Sequence, residues 1–223
     1  MYAESWNAIE NFVGWRVQND GKMLAMAMAK CESCSVYDLS YNGLGDNEGK
    51  EIAKALKINF TKNEKPYAGV PGAKIYGTIV KLNLANNNLH AEGIRALCEA
   101  LTSSNPRISF SLEELGLANN AAGPEGAVEL AKVISSNRII RRLNLSWNNI
   151  GTTGVLAILN ALQQSHLKAK FDLSYNSIDL GDQTLLESWP ELITRLKRMK
   201  IKDRIEEVIV GWELLGLHTL PTK

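Results

Sequence analysis

The same spacing of apolar and polar positions recurs at five places along the chain. Each place has the pattern apolar, x, Leu, x, x, Asn, x, apolar, and the five segments are residues 37–44, 82–89, 115–122, 143–150 and 171–178. The alternating apolar positions predict a short strand with one buried face in each segment. The shared asparagines are Asn42, Asn87, Asn120, Asn148 and Asn176, at intervals of 45, 33, 28 and 28 residues. The chain is therefore predicted to be an array of repeats, two of which are longer than the rest.

A helical pattern follows the strand in three of these repeats. In each of them a glycine lies four residues after the last apolar position, at Gly93, Gly126 and Gly154. The apolar stripes that follow are Ile94, Leu97 and Leu101, then Val128, Ala131 and Ile134, then Leu156, Leu159 and Leu162. One strand and one helix cannot cover their own apolar faces, whereas stacked copies can. We therefore predict an α/β solenoid with short parallel strands on the concave side and helices on the convex side.

The five asparagines are interpreted as structural. The chain must turn after each strand, and the turn leaves backbone groups without partners. A buried asparagine side chain carries both a donor and an acceptor and can satisfy these groups from one repeat to the next. The alternative, that the asparagines are exposed binding groups or metal ligands, is disfavoured.

The repeat resembles the ribonuclease-inhibitor-like class of leucine-rich repeats, which occurs also in regulators of Ran-type GTPases and in the sensor regions of NOD-like receptors. The resemblance covers roughly residues 36–182. It implies the solenoid fold but no single function, because this class hosts unrelated activities.

The segments outside the repeats are predicted to be helical caps. Residues 1–35 form the N-terminal cap in this interpretation, and residues 183–223 form a C-terminal cap or extension. The N-terminal stripes are Trp6, Ile9, Phe12, Val13 and Val17, then Met23, Leu24, Met28 and Ala29. The C-terminal stripes are Leu185, Leu186, Trp189, Leu192, Ile193 and Leu196, then Ile201, Ile205, Val208, Ile209, Trp212 and Leu215. Such caps would shield the open ends of the repeat array.

Two insertions account for the longer intervals, near residues 62–78 and 103–111. Both fall between the helix of one repeat and the strand of the next, so they are expected to lie side by side on one rim. One interpretation is a partner-contacting loop that uses Tyr67 and Tyr76. The other is a pair of surface insertions that the fold tolerates at little cost.

The residues between the buried leucines are expected to face the concave side. They are polar, mixed in sign, and aromatic at both ends of the array, as binding hot spots often are. The candidate partner-binding residues on this face are Tyr41, Lys81, Asn83, Glu114, Arg142, Asn144, Trp147, Lys170, Asp172 and Tyr175. The alternative for the aromatic residues is that they only brace the turn before each asparagine.

Composition and charge narrow the ligand class. With 45% hydrophobic and 22% charged residues among 223, the chain is typical of a folded protein. A formal net charge of +1 argues against free nucleic acid as the main ligand. No apolar run is long enough for membrane insertion. The basic run 195–204 adds Arg195, Lys197 and Arg198 as candidate contacts, although it also fits a solvated helix face balanced by nearby acidic residues.

Candidate chemistry is sparse. Cys31 and Cys34 have the spacing of a metal or redox pair, but a structural zinc site usually needs two such pairs, so we interpret them as two thiols at the end of the cap helix. No catalytic arrangement or phosphate-binding loop is recognised, and we expect neither an enzyme nor a cofactor. Three cysteines and a polar N-terminus favour the cytoplasm or another reducing compartment, where a cytoskeletal or ciliary assembly is one setting.

The sequence thus predicts a non-catalytic protein-protein interaction scaffold, an adaptor or structural subunit of a larger assembly. The alternative is a regulator of an enzyme, either a small-GTPase activator or an inhibitor that occludes an active site. The resemblance implies that such activators are longer and carry an acidic tail, and that such inhibitors are longer and rich in cysteine. This sequence is short, has three cysteines and ends without an acidic run, and these differences favour the subunit interpretation.

Overall fold

Strands and helices alternate along most of the described chain. The computed structural model describes residues 8–11, 21–31, 34–61, 65–66, 74–102, 108–137, 139–165, 169–179, 183, 187 and 207–209. In chain order the elements are β1 (Ala8–Asn11), α1 (Gly21–Lys30), β2 (Cys34–Asp38), α2 (Asp46–Phe60), β3 (Lys65–Pro66), β4 (Lys74–Tyr76), β5 (Lys81–Asn83), α3 (Ala91–Leu101), β6 (Ile108–Phe110), β7 (Glu114–Gly116), α4 (Gly123–Ser136), β8 (Arg142–Asn144), α5 (Gly151–Gln164), β9 (Lys170–Asp172) and β10 (Glu207–Ile209).

One parallel sheet carries the repeats. Its strand order is β1-β2-β5-β7-β8-β9-β10, and each neighbouring pair is parallel. The register aligns the first apolar residue of each repeat, so that Leu115 lies between Leu82 and Leu143. Identical placement of the apolar residue in successive repeats gives one continuous core between sheet and helices. The predicted α/β leucine-rich-repeat solenoid is confirmed.

The core consists of the inward residues of the strands and one face of each helix. The α3 stripe Ile94, Leu97 and Leu101 is buried as predicted. In α4 the predicted stripe is confirmed at Ile134, which is buried, but Val128 is 40% exposed, and Ala127, Leu130 and Val133 are buried instead. Both sets have helical spacing, and the contact of the helix with its neighbours decides which set faces inward.

The buried asparagines join one repeat to the next, as predicted. The Nδ2 of Asn148 donates to the carbonyl oxygens of Leu117, Leu145 and Ser146 at 2.7, 3.1 and 3.0 Å. Its Oδ1 accepts the N–H of Ala122 at 3.4 Å. Asn148 is 0% exposed, and the other four ladder asparagines are at most 9% exposed. The amides of Asn87, Asn120, Asn148 and Asn176 therefore each bond backbone groups of their own turn and of the preceding repeat.

A second inter-repeat contact, which the sequence did not reveal, lies at the start of α3. The Oδ1 of Asp46, at the beginning of α2, accepts the N–H groups of His90 and Gly93 at 2.8 and 2.9 Å. A carboxylate at this position satisfies orphan donors at a helix N-terminus. A Cβ on Gly93 would lie 2.7 Å from the same oxygen, which accounts for the glycine there.

At the N-terminal end, the predicted first cap helix is wrong where the structure can be compared with it. Ile9 lies in β1, which pairs with β2, and not in a helix. The other members of that stripe, beginning with Trp6, lie outside the described residues. The second predicted helix is confirmed as α1, with Leu24, Met28 and Ala29 buried, but Met23 is 71% exposed.

At the C-terminal end, Val208 and Ile209 were assigned to a helical stripe and instead lie in β10, paired with β9. A strand at either end of the sheet satisfies backbone groups that a helix would leave open. The predicted helix that begins near Leu185 lies mostly outside the described residues, and the proposed division at residues 35 and 182 stays a prediction. In the described part of the chain, every helix is too short or too polar to cross a membrane.

We predict that Asn148→Ala lowers the free energy of unfolding by about 3 kcal/mol, because several buried backbone groups lose their partner. Urea unfolding followed by circular dichroism measures the change. Asn160→Ala is the matched control, since Asn160 is exposed on α5 and should change stability by less than about 0.5 kcal/mol. Equal effects of the two substitutions would contradict the ladder role.

Candidate functional site

A row of charged side chains crosses the inner face. Lys81, Glu114 and Arg142 lie in register on β5, β7 and β8, and Lys170 follows on β9. The Nζ of Lys81 lies 3.0 Å from Oε1 of Glu114, and Arg142 binds the same oxygen. Exposed ion pairs stabilise a fold by about 1 kcal/mol at most. The row therefore contributes little stability and chiefly sets the charge pattern of this surface.

The side chains at the last position of β8 and β9, Asn144 and Asp172, bond to groups two residues further along the chain. The Oδ1 of Asn144 accepts the N–H and hydroxyl of Ser146 at 3.0 and 2.8 Å. Asp172 accepts the same two groups of Ser174 at 3.0 and 2.7 Å. These contacts close the turn at the end of each strand. Asn144 and Asp172 thus have a structural role, and their partner contacts stay a prediction.

Asn83 makes similar contacts. Its Oδ1 accepts the N–H of Ala85, and its Nδ2 donates to Oδ1 of Asp38 at 3.1 Å on the neighbouring strand. The polar residues of the inner face are therefore bonded to one another, and the face is less open to a ligand than the sequence suggested.

Aromatic residues form the most exposed part of this surface. The rings of Trp147 and Tyr175 stack with centroids 4.4 Å apart and an interplanar angle of 16°. The two residues are 56% and 54% exposed, and Tyr41 is 61% exposed. Tyr41 occupies the same repeat position at the other end of the array, separated from the pair by Asn86 and Asn119. The structure thus unites two of the three predicted aromatics.

The backbone at this position is in the left-handed region. The φ values of Tyr41, Trp147 and Tyr175 are 59, 58 and 57°, and Asn86 and Asn119 have 57 and 51°. Asparagine tolerates this conformation, whereas other residues with a Cβ adopt it at a cost of about 1 kcal/mol. The turn therefore does not require an aromatic residue, since asparagine serves in two repeats. This geometry speaks against the interpretation that the aromatics only brace the turn.

The described residues of the two insertions form a second sheet at the rim. Strand β4 pairs in parallel with β6, so that Lys74, Ile75 and Tyr76 lie opposite residues 108–110. Strand β3 pairs antiparallel with β4. The prediction that the insertions lie side by side is confirmed. That they pair as strands was not foreseen, because their partners are far apart in sequence.

We call the sheet formed by β3, β4 and β6 the rim sheet. The residues that follow β4 and the last residue of β6 contact the end of α2. The Oδ1 of Asn59 accepts the N–H of Thr78 at 2.9 Å, and the rings of Phe60 and Phe110 stack 4.5 Å apart. Gly77 has φ +94°, and a Cβ there would lie 2.5 Å from Phe60. Only a residue without a side chain fits between the two contacts. Specific side-chain contacts therefore fix the rim sheet to the solenoid.

Several predicted contacts are left untested. Tyr76 lies in β4, whereas Tyr67 lies outside the described residues. Arg195, Lys197 and Arg198 also lie outside them, and all five stay predictions.

The cysteines correct one expectation. Cys31 and Cys34 form a disulfide with sulfurs 2.06 Å apart, so the interpretation of two free thiols is wrong. Their Cα atoms lie 5.7 Å apart, a distance that a disulfide can bridge and that the spacing in the sequence does not fix. Cys98 is free and buried. Within the described residues, no group of three or more His, Cys, Asp or Glu side chains could hold a metal ion.

Comparison with known proteins agrees with the repeat geometry. Residues 78–98 and 136–159 match the family model described as Leucine Rich repeat. Ribonuclease inhibitor of Mus musculus is 36% identical over 87 residues, which are 39% of this chain and 18% of the inhibitor. The chain is a leucine-rich-repeat protein of the ribonuclease-inhibitor-like class.

Other members of this class cover more of the chain. NACHT, LRR and PYD domains-containing protein 9B of Mus musculus is 31% identical over 174 residues, or 72% of this leucine-rich-repeat chain and 17% of the relative. NACHT, LRR and PYD domains-containing protein 13 of Homo sapiens is 35% identical over 150 residues, which are 66% of this chain and 12% of the relative. The chain thus spans less than a fifth of the length of these curated relatives.

A solved structure, that of Leiomodin-1 Actin-Binding Site 2, aligns over 90% of the chain and 87% of its own length. Its TM-score is 0.44 and its sequence identity 15%.

Burial raises the pKa of the Cys98 thiol well above its usual range. The thiol should therefore stay neutral and unreactive in the folded leucine-rich-repeat protein from about pH 7 to 9. Iodoacetamide labelling followed by peptide mass spectrometry should find Cys98 unmodified without denaturant and modified in urea. Labelling of Cys98 in the folded protein at the rate of a free thiol would contradict its burial.

Proposed function

We propose that this leucine-rich-repeat chain is a non-catalytic protein-protein interaction scaffold, acting as an adaptor or structural subunit of a larger assembly. The observation that carries the proposal is the stacked pair of Trp147 and Tyr175. Both rings are more than half exposed, and both residues have a backbone conformation that asparagine adopts at lower cost. Unfavourable local geometry combined with exposure is typical of residues retained for binding.

The surroundings of the aromatic pair support the same function. The row formed by Lys81, Glu114 and Arg142 lies on the strands of the same face and mixes both charge signs. A large aromatic contact beside polar groups is the usual composition of an interface hot spot with its rim. In such an interface the rings would supply most of the binding energy, and the charges would orient the partner.

We predict that replacing Trp147 and Tyr175 together by asparagine removes partner binding without unfolding the protein. The stability should stay within about 1 kcal/mol of the wild type, because the lost stacking is offset by the lower backbone cost of asparagine. Quantitative affinity purification from cells that express the protein, with urea unfolding in parallel, measures both effects.

The matched control replaces the same two residues by phenylalanine, which keeps the rings. We expect this variant to retain the partners, whereas the asparagine variant should recover about tenfold less of at least one of them. Equal recovery with both variants would show that the aromatic pair is not the binding site.

The second candidate function is regulation of an enzyme, and the similarity to ribonuclease inhibitor favours it. The same purification separates the two functions. A single enzyme that depends on the aromatic pair, and whose rate changes when the purified chain is added, would support regulation. A stable complex of several subunits would support the scaffold.

The proposed location is the cytoplasm or another reducing compartment. The small, odd number of cysteines supports it, with Cys98 free. In such a compartment the thiol pool would keep the Cys31–Cys34 pair reduced, and the disulfide would form only on oxidation. We predict a reduced pair in cells that are quenched with acid and alkylated before lysis, as measured by mass spectrometry. A pair found mainly oxidised would place the protein in an oxidising compartment.

A further inference from the structure

We propose that the rim sheet binds an extended acidic segment of a partner protein, which adds as a fourth strand beside β6. This surface is separate from the aromatic pair on the inner face, so the inference does not depend on the proposed function.

The topology leaves one side of β6 available. In the rim sheet the strand order is β3-β4-β6, so that β4 occupies one side of β6 and no described strand pairs with the other. In any strand, alternate residues direct their N–H and C=O groups toward each side. An edge strand of this kind can pair with a segment of another chain.

The following repeat explains why its own described residues add no further strand there. Its helix α4 ends at Ser136 and β8 begins at Arg142, so the connection is short. The Oδ1 of Asn137 accepts the N–H groups of Ile139 and Ile140 at 2.7 and 2.9 Å, which closes this connection into a tight turn. The two preceding repeats each contribute a strand at this place, and this one contributes a turn.

The two edges of the rim sheet differ in their protection. At one edge, β3 has two residues, and one of them, Pro66, has no N–H to donate. Proline and lysine on a short edge strand are common means of preventing unwanted pairing. At the other edge, β6 has the sequence Ile-Ser-Phe, with neither proline nor charge. Only the β6 edge therefore has a composition suited to pairing.

The open strand is held in position before any partner arrives. Phe110, at the end of β6, stacks on Phe60 of α2. The hydroxyl of the next residue, Ser111, donates to the carbonyl oxygen of Ile79 at 2.7 Å. A strand that is already ordered loses less conformational entropy when it binds.

The charge of the rim selects the kind of segment. Among the residues that the structure describes there, Lys65 lies in β3, Lys74 lies in β4 and Arg141 lies directly before β8. Glu113 pairs with Arg141 at 3.3 Å, so the two lysines leave the described part of the rim with an excess of positive charge. An extended segment rich in Glu or Asp has the complementary charge.

The test uses a fluorescent peptide of about ten residues in which glutamate alternates with valine, a pattern that favours strands. Fluorescence anisotropy measures its binding to the whole chain, and hydrogen exchange locates the protected amides. We expect saturable binding that weakens as salt is added, with new protection at the amides of Ile108 and Phe110, which face the open side of β6.

Two control peptides separate strand addition from charge attraction. Methylation of the backbone nitrogens on one edge keeps the charges and removes the donors, and should weaken binding about tenfold or more. Replacing glutamate by lysine keeps the donors and should abolish binding. Equal binding of the methylated peptide would overturn the proposal, as would binding of the lysine peptide.

Protein variants complete the test. Ile108→Pro removes an N–H that β6 directs toward its open side and should weaken peptide binding, whereas Asn160→Ala on α5 should leave it unchanged. The methylated peptide gives the same information on the unmodified protein if Ile108→Pro disturbs the rim. Protection confined to other residues would overturn the proposal. Dimerisation of the chain that Ile108→Pro abolishes would also overturn it, since a second copy would then occupy β6.

Discussion

The buried amide at the end of each strand is the interaction on which the rest of this structure depends. One asparagine side chain bonds the carbonyl oxygens of its own turn and of the preceding repeat, as Asn148 does with Leu145 and Leu117. A buried amide cannot hydrogen-bond to bulk water, so its partners must come from the neighbouring repeats. The repeats must therefore stack at a fixed distance and in register. The continuous core and the parallel sheet follow from that stacking.

The same constraint creates the exposed column beside the ladder. To bring the amide inward, the chain adopts a left-handed conformation at the preceding residue, which therefore faces outward in every repeat. Asn86 and Asn119 meet this requirement at low cost, whereas Trp147 and Tyr175 do not. Away from the ladder, the connection between helix and strand is free to lengthen, and the rim sheet develops there. The two proposed binding surfaces thus lie beside the asparagine ladder and in the connections that the ladder does not constrain.

Sequence reasoning succeeded where partners are close in sequence or repeat at a regular interval. It placed the five repeat strands, the ladder asparagines and the positions of the insertions. It failed for the inward face of α4, where Val128 fits the helical spacing but is exposed. It also failed for Ile9 and Val208, which pair as strands at the two ends of the sheet. Apolar spacing alone cannot tell whether a short segment meets a helix or a strand edge.

The sequence by itself determined the repeat, its class and the polar character of the inner face, because each depends on a pattern within about thirty residues. Only the tertiary structure decided which side chains meet. The stacking of Trp147 on Tyr175 and of Phe60 on Phe110, and the pairing of β4 with β6, join residues that separate repeats or insertions supply. Such contacts depend on the distance between repeats and on the path of the connections, and the spacing of residues within one repeat determines neither.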